Sequence, residues 1–291
     1  MQRLTTISAV RAASRKARAE NRRIALVPTM GALHEGHLAL VEQAGREADV
    51  VLVSIFVNPA QFGPGEDYET YPRVLEADED LLRQQGVATH VFAPTVQEMY
   101  PDGPAAQRAA VIVDQLTDTL CGAYRSGHFD GVTTVVSMLL HIAQPHVAVF
   151  GQKDAQQLAV IRRMVRDLHL PVDIVAVPTV REPDGLARSS RNAYLSPAER
   201  AQAPVLYNAL RAAAEAVREG ELQGRPLVRR MQARVADAPL AEPQYIEVID
   251  ADDLLPVDDL QPGQRILLAL AVYFGDTRLI DNIPITVPSR T

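Results

Sequence analysis

The chain has 291 residues, which suits two ordinary domains better than one large one. Apolar residues make up 47 % of it, yet no uninterrupted apolar run approaches the ~18 residues of a membrane helix, so a soluble protein without a membrane partner is expected. With 29 basic against 36 acidic residues, the net charge of −7 repels a phosphate backbone and argues against nucleic acid as the main partner. Cys121 is the only cysteine, and Met1 to Val10 lacks the basic flank and apolar core of a secretory signal; both favour a reducing cytoplasmic setting.

In chain order, strands are predicted at Ile24 to Val27, Val50 to Val57, His90 to Ala93, Val147 to Phe150 and Ile174 to Val177. Each is a short, continuous, branched run, as burial on both faces requires. Between them, apolar residues recur at spacings of three and four, predicting helices at His37 to Ala48, Ala77 to Gln85, Val132 to Ile142 and Asp154 to Asp167. Alternation of this kind reads as an α/β fold around a parallel sheet. Pro178 and the stretch Arg181 to Gly185 break the pattern. Beyond them one helix from Pro197 to about Glu219, a second near Leu227 to Ala236, and strands at Tyr245 to Ile249, Ile266 to Tyr273 and Leu279 to Asn282 predict a smaller α+β unit. The division is placed at 1–182 and 183–291, with a possible hinge between Pro178 and Ser189.

The stretch Pro28-Thr29-Met30-Gly31-Ala32-Leu33-His34-Glu35-Gly36-His37 lies between the first predicted strand and its helix. Ligands of open α/β sheets bind at the carboxyl ends of strands, and the amides of a helix start carry roughly half a positive charge, so an anion belongs there. Gly31 and Gly36 let backbone approach a phosphate, and His34 and His37, one turn apart, can donate to the same phosphates. Alternatively, one histidine caps the helix and the other packs. Zinc is disfavoured, because no third ligand in His-Glu-x-x-His spacing is nearby.

His-x-Gly-His after a first strand resembles the signature of the nucleotidylyltransferase superfamily, which releases pyrophosphate. That superfamily often carries a second mobile basic motif, and Arg188-Ser189-Ser190-Arg191-Asn192 occupies the corresponding position, although such composition is also common on solvated loops. Gly185 upstream is expected to let this loop close. A third segment, Gly151-Gln152-Lys153-Asp154, again follows a buried strand, and Lys153 there can neutralise developing phosphate charge.

Taken with Ser54-Ile55-Phe56-Val57-Asn58-Pro59-Ala60-Gln61-Phe62, Tyr71-Pro72-Arg73, and Cys121-Gly122 through Gly127-His128-Phe129-Asp130-Gly131-Val132, these blocks resemble the pantoate:beta-alanine ligase family from Pro28 to about Ser196. The resemblance implies a Rossmann-like parallel-sheet domain with a smaller C-terminal α+β domain acting as a lid, and a homodimer. It also implies ATP and Mg²⁺, with pantoate and beta-alanine as the other substrates, joined through a pantoyl adenylate with release of AMP and pyrophosphate. By the same resemblance ATP is held by Met30, Gly31, Ala32, Leu33, His34, Glu35, Gly36, His37, Gly151, Gln152, Lys153, Asp154, Val180, Arg188, Ser189, Ser190 and Arg191. Catalysis falls to His37, the proton donor, with His34, Lys153 and Arg191. Gln61 and Gln157 bind pantoate, Gln61 also approaches beta-alanine, and Asn58 and Arg125 are further candidates that could instead anchor loops. Asp78 is the implied Mg²⁺ ligand, unless it is an exposed helix charge like its acidic neighbours.

Val74, Ser126, Met138 and Arg188 depart from the family pattern without removing a proposed catalytic group. Two rivals remain. Another adenylyl or cytidylyl transferase would leave the nucleotide on its acceptor, and the Gln61 and Gln157 blocks speak against it. A regulatory nucleotide-binding protein would be expected to lack His37, Lys153 or Arg191, and all three are present.

Overall fold

The computed structural model describes residues 1–289. In chain order its elements are β1 (Gln2–Leu4), α1 (Ile7–Ala19), β2 (Ile24–Thr29), α2 (Glu35–Glu47), β3 (Val50–Ile55), α3 (Leu75–Gln85), β4 (His90–Phe92), α4 (Val96–Met99), α5 (Leu120–Tyr124), α6 (His128–Ala143), β5 (Val147–Gly151), α7 (Ala155–Asp167) and β6 (Asp173–Val177). There follow α8 (Pro197–Gln202), α9 (Val205–Arg218), α10 (Gly224–Ala236), β7 (Ala241–Asp250), β8 (Arg265–Phe274) and β9 (Thr277–Thr286). Among the described residues no helix is long and apolar enough to cross a membrane.

The described residues divide into two compact units, one of residues 1–114, 125–152 and 160–178, the other of residues 115–124, 153–159 and 179–289. The first unit holds a six-stranded sheet in the order β1-β4-β3-β2-β5-β6, parallel throughout. Leaving out the edge strand β1, this is the doubly wound order of a dinucleotide-binding fold, and the connection reverses direction between β2 and β5. Small and branched residues form the core: Ala25, Val27, Val51, Val53, Val91, Val147 and Val149 pack with Leu40, Val41 and Ala44 of α2.

The sheet opens at that switch point for a reason visible in one residue. β2 pairs with β3 over its whole length, Ile24↔Val50 to Thr29↔Ile55, but with β5 only at Ala25↔Val147 and Leu26↔Ala148. The Ile24 carbonyl accepts from His146 N, so even-numbered backbone groups of β2 face β5. The next such group after Leu26 belongs to Pro28, which has no N–H to donate, and the ladder ends.

In the second unit α9 and α10 cover an antiparallel sheet in the order β7-β8-β9. Leu206, Leu210, Ala213, Val217, Leu227 and Met231 pack there on Ile246, Val248, Leu268 and Leu270. Three sequence expectations change. Residues 115–124 and 153–159, placed by sequence in the first domain, cluster with the second unit. The single helix from Pro197 is two, α8 and α9, because Ala203-Pro204 interrupts it. A first strand and helix, β1 and α1, precede the first ones predicted.

Candidate active site

The loop after β2 is built from backbone restraints. Gly31 has φ +84° and Ala32 φ +49°, so the chain turns through left-handed conformations before α2. A Cβ on Gly31 would lie 2.9 Å from Asp78 Oδ2, which makes glycine necessary twice over. Asp78, only 1 % exposed, accepts from Ala32 N at 2.9 Å through Oδ2 and from Leu33 N at 2.7 Å through Oδ1. Burial pushes its carboxyl above the usual carboxylate range, against the opposite pull of the two amides.

His34 and His37 then form a capping box of two imidazoles. His34 is the N-cap, its Nδ1 accepting from Gly36 N at 3.1 Å, while His37 Nδ1 accepts from His34 N at 3.3 Å. An imidazole nitrogen that accepts from an amide carries no proton, so in each neutral ring the N–H sits on Nε2. The ring centroids are 4.1 Å apart. Helix capping and anion recognition, alternatives in the sequence, are compatible here: Nδ1 serves the helix and Nε2 is the donor. Glu35 is exposed, and Met30, Ala32 and Gly36 are half-buried beside buried Gly31 and Leu33. Across the switch point, Gly151 ends β5 and Gln152 follows it.

Gln61 closes a short helical turn at Pro59–Gln61, opposite α6. Its Nε2 lies 3.1 Å from Met30 Sδ and its Oε1 accepts from Asn58 Nδ2 at 3.2 Å. Its carbonyl accepts from His128 Nδ1 at 2.8 Å, and Arg125 NH1 donates to His128 Nε2 at 2.9 Å. Arg125 in turn grips Glu66 with both forks, at 2.7 Å each. Burial alone would raise the Glu66 carboxyl, but Arg125 and the Gly63 amide hold it below its ordinary range. Arg125 is thereby a loop anchor. Asn58 is 1 % exposed, and its amide is fully used by Gln61 Oε1, Gly131 O, Ala60 N and Tyr100 Oη. The expectation that Asn58 touches substrate therefore gives way to a supporting role, since an amide has two donors and two lone pairs and all four are committed.

In the second unit Val180 and Arg188 are brought together, the Arg188 amide donating to the Val180 carbonyl at 2.9 Å across a hairpin. Gly185, φ +96°, is the tight turn of that hairpin, where an added Cβ would stand 2.4 Å from the Tyr207 ring. Arg188 lies 3.6 Å from Glu182, which also receives Arg200 and, at 3.0 Å, Asn192. Burial would raise the Glu182 carboxyl; these partners hold it below its ordinary range. Ser189 accepts from Arg191 N at 3.3 Å, starting the turn Ser190–Tyr194. The Lys153 carbonyl accepts from Asn282 Nδ2 at 2.8 Å, and the Lys153 ammonium is 4.0 Å from Asp154. Asp281, beside Asn282 on β9, forks Arg181 at 2.6 and 3.0 Å. Gln157 is half-buried in the first turn of α7.

Asp78 is buried, and each of its two oxygens accepts from one backbone amide, which leaves further lone pairs on the carboxylate. Among the described residues no group of three His, Cys, Asp or Glu side chains could hold a metal ion. Sequence reasoning also missed Tyr100, Glu66, Glu182 and Asn282, which touch the candidate residues Asn58, Arg125, Arg188 and Lys153.

A family model described as pantoate-beta-alanine ligase matches residues 2–284. The chain belongs to the pantoate-beta-alanine ligase family. A pantothenate synthetase of Salinibacter ruber is 56 % identical over 99 % of both chains, and one of Pseudomonas entomophila 53 % over the full length of both. The crystal structure of the Thermus thermophilus pantothenate synthetase superposes with TM-score 0.90 at 46 % identity, covering 99 % of this chain and all of that one. A Francisella tularensis ligase, solved with beta-gamma ATP and beta-alanine, superposes with TM-score 0.78 at 35 % identity over 97 % of each chain. The six-stranded sheet and the small antiparallel unit of this chain thus match the fold of solved pantothenate synthetases.

Proposed function

We propose that this ligase condenses pantoate with beta-alanine in two steps. A pantoate carboxylate oxygen attacks the α-phosphorus of ATP, forming a C–O–P link as the bond to pyrophosphate breaks. The amine of beta-alanine then attacks the acyl carbon, the C–N bond forms, AMP leaves and the amine proton passes to solvent. The observation that carries this reading is the histidine capping box, which fixes two Nε2–H donors at a helix start at the carboxyl end of β2. Preorganised donors of this kind stabilise charge that develops on departing pyrophosphate without reorganising during the reaction.

Met30 to His37 and Gly151 to Asp154 are assigned to ATP, with Val180 and Arg188 to Arg191. Lys153 and Arg191 neutralise phosphate charge, and His37 is the proton donor to the leaving group. Gln61 and Gln157 bind pantoate, Gln61 approaching beta-alanine as well. The Francisella tularensis complex with beta-gamma ATP and beta-alanine supports two of these ligands. Mg²⁺ would enter with ATP and neutralise phosphate charge, and Asp78 is the carboxylate assigned to it. A cytoplasmic homodimer is the proposed working form.

The test is a coupled assay of AMP release with MgATP, pantoate and beta-alanine, each omitted in turn, repeated with Lys153→Ala. AMP appears only in the complete mixture and falls by about 100-fold in the variant. Pyrophosphate formed with a different acceptor, without AMP, would reject the reading.

A further inference from the structure

Gln61 is 8 % exposed, and the two ends of its side-chain amide have unequal partners. Oε1 takes a conventional hydrogen bond from Asn58, whereas the partner of Nε2 among the described residues is Met30 Sδ. A thioether is a weak acceptor, so this donor is matched below its capacity and stands ready for a carboxylate or hydroxyl oxygen.

Which end faces outward is decided one residue away. Asn58 Oδ1 accepts from Tyr100 Oη at 2.6 Å and Ala60 N at 3.3 Å, and Asn58 Nδ2 donates to Gln61 Oε1 and Gly131 O, both at 3.2 Å. A backbone N–H can only donate and a backbone carbonyl only accept, so the Asn58 amide cannot turn over. Because Asn58 offers its NH₂ group, Gln61 must answer with its carbonyl oxygen and send its own NH₂ the other way. The phenol supplies the shortest bond of the set from a site 3 % exposed. Burial pushes its pKa up to about 12, so it remains a donor across the working pH range.

We infer that Tyr100 is a positioning residue for pantoate: acting through Asn58, its hydroxyl holds Gln61 with the NH₂ group presented to a substrate oxygen. The relay runs one way, hydroxyl to amide to amide to substrate, each member donating to the next and polarising it. It rests on the assignment of Gln61 to pantoate recognition. An acid that offers an acceptor at this point is recognised, and an analogue that offers a donor there is refused, because two N–H groups would face each other.

A double-mutant cycle on the full chain tests the relay, using the KM for pantoate in the AMP-release assay with Tyr100→Phe, Gln61→Ala and both together. Tyr100→Phe raises the KM for pantoate about 3- to 10-fold, the worth of one hydrogen bond, and leaves the KM for ATP in place. In the Gln61→Ala background the same substitution adds nothing, since its effect passes through Gln61. An equal multiplication of KM in both backgrounds would overturn the proposal. A Gln61→Ala enzyme with the parent KM for pantoate would instead reject the Gln61 assignment itself. Should thermal melts show that Tyr100→Phe does not fold, Asn58→Ala takes its place in the cycle, with non-additivity expected and additivity again decisive against it.

Discussion

In the loop that carries His34 and His37, the restraints act on backbone: two left-handed residues, two amides bound by Asp78, and a capping box closed by imidazole nitrogens on amide hydrogens. In the stretch that carries Arg188 and Arg191, backbone bonds close the hairpin and side-chain ion pairs are added to them, with Glu182 shared by Arg188, Arg200 and Asn192. Backbone restraints fix geometry before any ligand arrives, whereas an arginine held by a carboxylate can exchange that partner for a phosphate with little change in its own charge environment. The first region is a scaffold and the second a store of charge.

Asp78→Asn is the strongest way to break this contrast, because its amide nitrogen would face one of the two backbone donors. It lowers kcat/KM by about 10- to 100-fold and stability by about 2 kcal/mol, read by the AMP assay and by denaturant unfolding. Arg188→Leu sharpens the contrast from the other side: the KM for ATP rises about 3- to 5-fold while the unfolding midpoint stays put, as expected for a partly exposed ion pair. The smallest effect concerns pH. Glu182 is held below its ordinary pKa when folded, so its contribution exists above the unfolded glutamate value, about 4.3, and disappears as pH falls through the depressed value. Asp78 is raised, so its contribution is complete at low pH and is lost as pH rises through the raised value. The stability gap between the parent and Glu182→Gln, about 1 kcal/mol at neutral pH, closes on acidification, and the gap to Asp78→Asn closes on the way up; gaps moving in the same direction would remove the distinction.

Much of this was legible beforehand where chemistry is local. Strands β2 to β6 announce themselves as branched runs, and the histidines, Lys153 and the Arg188 to Arg191 stretch by their positions after strands or in a loop. β1 has three residues, too few to show a period, and α1 has only Val10, Ser14 and Ala17 buried, a thin stripe. The acidic run Glu76 to Asp80 illustrates the limit: Glu76 and Asp80 are exposed while Asp78 and Glu79 are buried, a difference made by partners brought in from Ala32, Leu33 and Arg3. Tyr100 carries no motif, since its meaning lies in Asn58, 42 positions away. Pro204 is a break visible in the sequence itself, since a proline inside a helical run removes an N–H and clashes with the preceding turn.

Gly131 shows what the close approach of α6 to the Gln61 turn demands. A single methyl there would stand 2.3 Å from the Ala60 carbonyl oxygen and 2.6 Å from Gln61 Cα, so the helix and the turn meet skin to skin. Position 131 thus behaves as a feeler gauge, setting a clearance that no other amino acid can keep. In a survey of every substitution along the chain it would be as intolerant as a residue of the reaction centre, although its own side chain is a hydrogen atom.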